Sequence, residues 1–147
     1  MYRKSINIIT EKEFTDITNS VQKIVDKYSI VDGVIFINTL HTTCGLKIME
    51  NEILSLFDID SFLNEIVPIN KDYAHDKIHL RQVPIDERIN ARSHIKVLFF
   101  NTNLNIQIIN GKLNLGEWQR IMLVEMDCNL PSRERNIVIT LLNYEKD

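Results

Sequence analysis

Imidazoles at His41, His75, His79 and His94 are the side chains of this sequence best suited to chemistry, because imidazole is the commonest ligand for transition metals and the usual proton carrier near neutral pH. Their spacing carries no HExxH and no HxH, and the one i,i+4 pair, His75 and His79, falls in a stretch without helical periodicity. A catalytic zinc needs only three protein ligands with one position left open. Histidines from a strand end, a loop and a helix start would supply them if the fold brings them together; otherwise each is a surface or hydrogen-bonded imidazole. Around them stand other polar residues with two readings each. Glu50 is a general acid or base, or a solvated acid at a strand end. Thr42 and Thr43 offer hydroxyls to an anion, or are simply good strand residues. Arg133 and Arg135, two apart, form a fork for phosphate or carboxylate, or a charged hairpin tip. Trp118, between Gly116 and Gln119, suits a pocket wall, the core or a subunit interface. Cys44 lies three positions after His41, which on a strand puts the two side chains on opposite faces and argues against a Cys/His dyad.

The elements that must position these residues follow from periodicity. Tyr2 to Thr10 alternates around Ile6 and Ile8 as an opening strand. Thr15 or Asp16 then caps a helix that gathers Ile17, Val21, Ile24, Val25 and Tyr28 on one face. After Asp32-Gly33, the nearly continuous apolar run Val34 to Leu40 reads as a central strand, and Cys44 to Met49 as its continuation or a second strand, with His41-Thr42-Thr43 at the break. A second helix starts at Asp58 or Asp60, turns Phe62, Leu63, Ile66 and Val67 inward and stops before Pro68. Asn70 to Asp86 is a long aperiodic loop, a length that is uncommon without a function. Asn90 to Phe100 returns to helical spacing with Ile95, Leu98 and Phe99 buried. Asn110-Gly111 marks a type I′ hairpin turn between Leu104–Ile109 and Lys112–Leu115, and Gly116 to Gln119 reads as a bulge. Two further strands, Ile121 to Asp127 and Asn136 to Asn143, are joined by Cys128 to Arg135. Strands and helices do not alternate regularly, so the expected class is α+β with a mostly antiparallel sheet and about three helices.

Size and composition bound the function. A chain of 147 residues makes one domain, 1–147, able to bury roughly two thirds of its unfolded surface. The net charge of −3, with Lys and Arg scattered among 20 acids, excludes the clustered basic surface that nucleic acid requires. No stretch approaches the ~20 apolar residues of a membrane span, and the polar N-terminus has no secretory signal pattern. Two cysteines without CxxC spacing fit a reduced, cytoplasmic protein. The absence of GxGxxG, GxxxxGK[ST] and GxSxG removes support for nucleotide-binding loops and serine hydrolases.

The ordered motifs Asp16-Ile17-Thr18, His41-Thr42-Thr43, Glu50-Asn51-Glu52, Tyr73-x-His75, Asn90-x-x-Ser93-His94, Asn110-Gly111-Lys112-Leu113-x-Leu115-Gly116-x-Trp118-Gln119 and Arg133-x-Arg135 run over nearly the whole chain. Together they resemble the YjbQ-like family, also called the secondary thiamine-phosphate synthase enzyme family. The resemblance implies a homotrimer with polar pockets near subunit boundaries, and a metal site in which the family histidines correspond to His41, His75 and His94, while His79 has no counterpart. Glu50, Trp118, Gln119 and Arg135 match other recurrent family positions. Three departures stand out: Cys44-Gly45 for the usual pair of small residues, Asn101-Thr102-Asn103 for a glycine-containing turn, and Glu117 for the threonine usual before the tryptophan.

The resemblance leads to a specific expectation. His41, His75 and His94 hold a divalent metal, zinc before others, and Glu50 supports a ligand or shuttles a proton. Thr42, Thr43, Trp118, Gln119 and Arg135 bind a phosphorylated or otherwise anionic small molecule. If thiamine-phosphate synthesis is the reaction, a pyrimidine diphosphate joins a thiazole phosphate and pyrophosphate leaves. The alternative is a trimer that binds a metal or metabolite without catalysis.

Overall fold

The computed structural model describes residues 1–127 and 132–144. Among the described residues there are eight strands and three α-helices: β1 Tyr2–Thr10, β2 Phe14–Asp16, α1 Thr18–Lys27, β3 Gly33–Thr39, β4 Cys44–Met49, α2 Ile53–Ile66, α3 Ala91–Lys96, β5 Asn103–Ile109, β6 Lys112–Leu113, β7 Arg120–Glu125 and β8 Arg133–Asn143. All strand pairings are antiparallel, in a five-stranded sheet of order β1-β8-β3-β5-β6 and a three-stranded sheet of order β2-β7-β4. This is the expected α+β class, built as two sheets.

Alternation decides which sheet face is buried. Ile35 and Ile37 of β3, Leu104, Ile106 and Ile108 of β5, and Ile137, Ile139 and Leu141 of β8 point to one side, where they meet Val21, Ile24 and Val25 of α1 together with Leu46, Ile121 and Leu123 of the smaller sheet. The smaller sheet is covered on its other face too, by a cluster of Phe14, Leu63, Met122, Val124 and Met126 that includes the buried side of α2. Burial on both faces explains why β7 reads as an unbroken apolar run rather than an alternating one. The hairpin turn is as expected, with φ of 50° at Asn110 and 77° at Gly111. Asp16 serves α1 by accepting the Thr18 amide at 2.9 Å.

Several boundaries differ from the sequence expectation. The α2 helix begins at Ile53, five or more residues earlier than Asp58, because the Glu52 carboxylate accepts the amides of Leu54 at 3.0 Å and Ser55 at 2.8 Å. Phe62 and Ile66 are exposed rather than inward, and Leu63 is the one buried residue of the helix. Helix α3 is short, continues into a turn of 3-10 helix at Val97–Phe99, and buries Ala91, Ser93 and Lys96 while Ile95, Leu98 and Phe99 face outward. The segment read as a long loop contains turns of 3-10 helix at Ala74–Asp76 and Ile78–Leu80. Gly116 to Gln119 is a closed turn, not a bulge: the Gln119 side chain accepts the Gly116 amide at 2.8 Å, and the Gln119 amide donates to the Gly116 carbonyl. In the expected connection Cys128 to Arg135, residues 128–131 lie outside the described residues, and β8 has already begun at Arg133.

At Gly45 a Cβ would lie 2.6 Å from the Phe100 Cβ, so the small residue beside Cys44 is dictated by the close approach of the 3-10 turn after α3. Among the described residues no helix is long and apolar enough to cross a membrane.

Candidate functional site

The polar residues of interest gather where β7 ends, β8 begins and the β3–β4 connection passes. Glu125 closes β7 and Arg135 is the third residue of β8; both are almost completely buried. The Arg135 guanidinium grips both Glu125 carboxylate oxygens, Nη2 to Oε1 at 2.7 Å and Nε to Oε2, and Nη2 also donates to the Thr43 hydroxyl at 3.3 Å. Oε1 of Glu125 accepts the Asp127 amide at 2.8 Å, and the Thr10 hydroxyl approaches Oε2 at 3.4 Å. A second knot adjoins the first, in which buried Asp127 takes Arg88 at 2.6 Å and Arg133 at 2.8 Å. Arg135 therefore does form a carboxylate fork, and Arg133 grips Asp127 through its carboxylate and its backbone carbonyl, but both act within their own chain. Arg135, expected to contact an anionic substrate, has its donors committed, with Nη1 alone turned toward His41 Nδ1 at 3.4 Å.

His41 is held by backbone. Its Nε2 accepts the Asn136 amide at 3.0 Å, which leaves the proton of the neutral ring on Nδ1. Burial lowers its pKa, the Arg135 charge lowers it further, and Glu125 opposes them. This predicts a pH dependence of stability. The folded pKa lies below the unfolded value of about 6.5, so the unfolded chain takes up its proton first as pH falls, and stability drops from there toward acid. With chelator present, the urea midpoint should fall between pH 7.5 and 5.5. His41→Gln, which keeps an acceptor for the Asn136 amide, should flatten that slope; an unchanged slope would refute the assignment.

His75 and His94 come together. Their rings meet edge to face with centroids 4.8 Å apart, His75 from the first 3-10 turn and His94 from α3. The Thr42 backbone lies close enough to the His94 ring to favour its protonated form, against the larger effect of burial. Burial nonetheless holds the His94 pKa below the ordinary imidazole value, helped by His75 and opposed by Asp127. Arg81 braces the arrangement by donating to the His75 carbonyl at 3.0 Å, and the Asp76 carboxylate accepts the Ala91 amide at 2.9 Å, which ties the 3-10 turn to α3.

The other expected site residues are spread out. Thr42 is exposed beside the histidines, Thr43 is buried against Arg135, and His79 is exposed. Glu50 lies beyond the far end of β4, seven residues from Thr43, or about 20 Å along an extended strand. It shares a shallow cavity there with Asn51, Glu52, Trp118 and Arg120, and Trp118 is 67% exposed, so it is not core. Gln119 closes its own turn. Cys44 is fully buried, and burial pushes its thiol up to about 12, which removes it as a nucleophile. Glu125, Asp127, Arg88 and Thr10 were not anticipated. Two acids at the end of a buried apolar run, IMLVEMD, followed by Arg133-x-Arg135, are the sequence sign of such pairing, since buried carboxylates need partners.

These donors fit a divalent metal only in part. His75 and His94 offer two half-buried imidazoles whose rings are in contact. His41 offers no lone pair, since one nitrogen takes the Asn136 amide and the other faces a guanidinium. Among the described residues no three His, Cys, Asp or Glu side chains stand together as a metal-binding group.

The pattern described as UPF0047 protein YjbQ-like matches residues 4–144, nearly the whole chain. The protein belongs to the YjbQ-like family. A UPF0047 protein of Archaeoglobus fulgidus is 34% identical over 130 residues, covering 88% of this chain and 91% of that one. UPF0047 protein YjbQ of Escherichia coli O157:H7 is 26% identical and covers 95% and 96%. Among solved structures, the hypothetical protein APE1520 of Aeropyrum pernix K1 superposes with a TM-score of 0.83 at 27% identity, over 98% of this chain and all of that one. A YbjQ-like protein of unknown function from Sulfolobus solfataricus P2 gives 0.81 at 30% identity, with 97% of each chain covered. The YjbQ-like chain thus shares its architecture with structures whose descriptions assign no reaction.

Proposed function

We propose that this YjbQ-like protein is a small cytoplasmic enzyme that acts on an anionic, phosphorylated small molecule at the His75–His94 pair, with a divalent metal, zinc before others, held by those two imidazoles. The observation that carries this reading is the contact of the two rings, which places two half-buried imidazoles 4.8 Å apart. A bound metal would supply Lewis acidity toward a phosphoryl oxygen. The chain supplies the rest. Burial keeps His94 neutral near pH 7 and so able to accept a proton or a ligand bond, Arg81 brings positive charge to the same place, and the Thr42 hydroxyl stands exposed beside it. His41 becomes a third ligand only by giving up the Asn136 amide. Arg135, Glu125, Asp127, Arg88 and Arg133 act as the frame that fixes the β3–β4 connection carrying Thr42.

The homotrimer belongs to the same proposal. Its support is a set of exposed apolar side chains on α2 and the neighbouring 3-10 turn, beyond what a solitary domain of this size ordinarily leaves in water.

A second reading, metal or metabolite binding without catalysis, is favoured by one observation: Glu125 and Asp127 are tied to arginines, and Glu50 is about 20 Å along β4 from Thr43. Metal analysis of protein purified without chelator separates the questions. The expectation is about one equivalent of metal per chain, falling at least tenfold in His75→Ala and in His94→Ala and less in His41→Ala. Wild-type protein without stoichiometric metal would end the metal reading. Release of pyrophosphate from the two thiamine precursors is the first reaction to assay, and failure where an authentic synthase succeeds would leave binding as the better account.

A further inference from the structure

A cavity of about 250 Å³ lies beside α3, on a wall the histidines do not form. Its polar lining is Asp76, Asn90, Arg92, Ser93 and Lys96, with Met126 among the apolar contributors. The charges are sorted. Asn90, Ser93 and Lys96 follow one another at helical spacing of three, so the Asn90 end of the wall, joined by Asp76, carries acceptors, and the other end carries the cations.

The two ends are incompletely satisfied by the protein. Among the described residues Arg92 donates to neutral oxygens, Nε to the Val67 carbonyl at 3.0 Å and Nη2 to Asn64 Oδ1 at 2.8 Å, which leaves further N–H groups of its fork. Lys96 is 8% exposed, and its ammonium meets the same Asn64 oxygen at 2.9 Å but the Asp60 carboxylate only at 3.4 Å. At the other end Asp76 commits one oxygen to the Ala91 amide. Asn90 precedes α3 at the same end of the cavity. Its Oδ1 is left buried without a partner. A buried carbonyl oxygen without a donor is destabilising. Closure of this wall on a ligand that brings an N–H would remove the cost.

We propose that this cavity binds a small zwitterion, with its ammonium at the Asp76–Asn90 end and its carboxylate or phosphate at the Arg92–Lys96 end. A simple anion would leave Asp76 facing it, and a simple cation would face Arg92; a dipolar molecule of a few heavy atoms answers both and matches the volume. The site uses no metal and no histidine, so it stands or falls separately from the function proposed above.

Calorimetric titration of the whole protein, with chelator present, tests it with two matched pairs: phosphoethanolamine against ethyl phosphate, and β-alanine against propionate. At least one zwitterion should bind saturably with Kd of about 1 mM or tighter, and its partner lacking the ammonium at least tenfold more weakly. Which pair responds tells phosphate from carboxylate. Asp76→Asn keeps an acceptor for the Ala91 amide and should fold; it should weaken the zwitterion about tenfold and leave its ammonium-free partner unchanged. Arg92→Gln should weaken both members of the pair. No saturable binding of either zwitterion, equal binding of the ammonium-free partners, or indifference to both substitutions would overturn the proposal.

Discussion

Glu125→Ala is expected to destabilise the protein by about 3–5 kcal/mol, the range for leaving one half of a buried ion pair without its partner. The Glu125 and Arg135 side chains are 1% and 8% exposed, so water cannot replace the lost carboxylate around the guanidinium. The same carboxylate also holds the Asp127 amide, and its loss strands that donor. A domain of this kind has about 5–15 kcal/mol in total, so the variant should sit close to unfolding. In urea, the midpoint should fall by roughly 2 M, given a denaturant slope near 2 kcal/mol per molar. Glu125→Met combined with Arg135→Met removes both charges and should recover much of the loss, because the desolvation cost of the pair disappears with it. A single substitution within 1 kcal/mol of wild type would show that the pair does not anchor the junction of β7 and β8.

The second large effect is on assembly. Helix α2 exposes Ile53, Leu54, Phe57, Phe62 and Ile66, and the turn after α3 adds Leu98 and Phe99, with Phe62 and Phe99 in edge-to-face contact at 6.2 Å. Burying one such side chain contributes about 1.5–3 kcal/mol, so even a fraction of this surface suffices to hold chains together at micromolar concentration. Light scattering of the wild type should give about three times the 17.2 kDa of one chain. Leu54→Glu with Phe57→Glu should give a single chain while preserving the fold, since Leu54 and Phe57 are each 69% exposed and take no part in the core. A monomeric wild type, or a trimer indifferent to both substitutions, would remove this face from the assembly. The Glu50–Trp118 cavity belongs to the same question, because within one chain Glu50 lies far along β4 from Thr43.

Much of the framework was determined by the sequence alone. Alternation along Tyr2–Thr10, the apolar run from Val34, Asn110-Gly111 at the hairpin and the helical face from Ile17 to Tyr28 each follow from local sterics and burial, and each is present in the structure. The ordered motifs likewise led to the YjbQ-like family. Tertiary structure decided what local rules miss. Helix α2 starts early because Glu52, a residue not favoured as a cap, reaches two amides, and its exposed phenylalanines erase the one-sided pattern that marks a solitary helix. The inner face of α3 is polar, since Lys96 bonds Asp60 and Asn64 of α2 and Ser93 lines a polar cavity, a partnership invisible in six residues of sequence. Arg135 had the composition of an anion binder, but pairing with Glu125 across the sheet end consumed its fork. The histidines divide on the same ground: the family resemblance marked all three, whereas only the packing of the 3-10 turn on α3 joined His75 to His94 and left His41 bonded to the Asn136 amide.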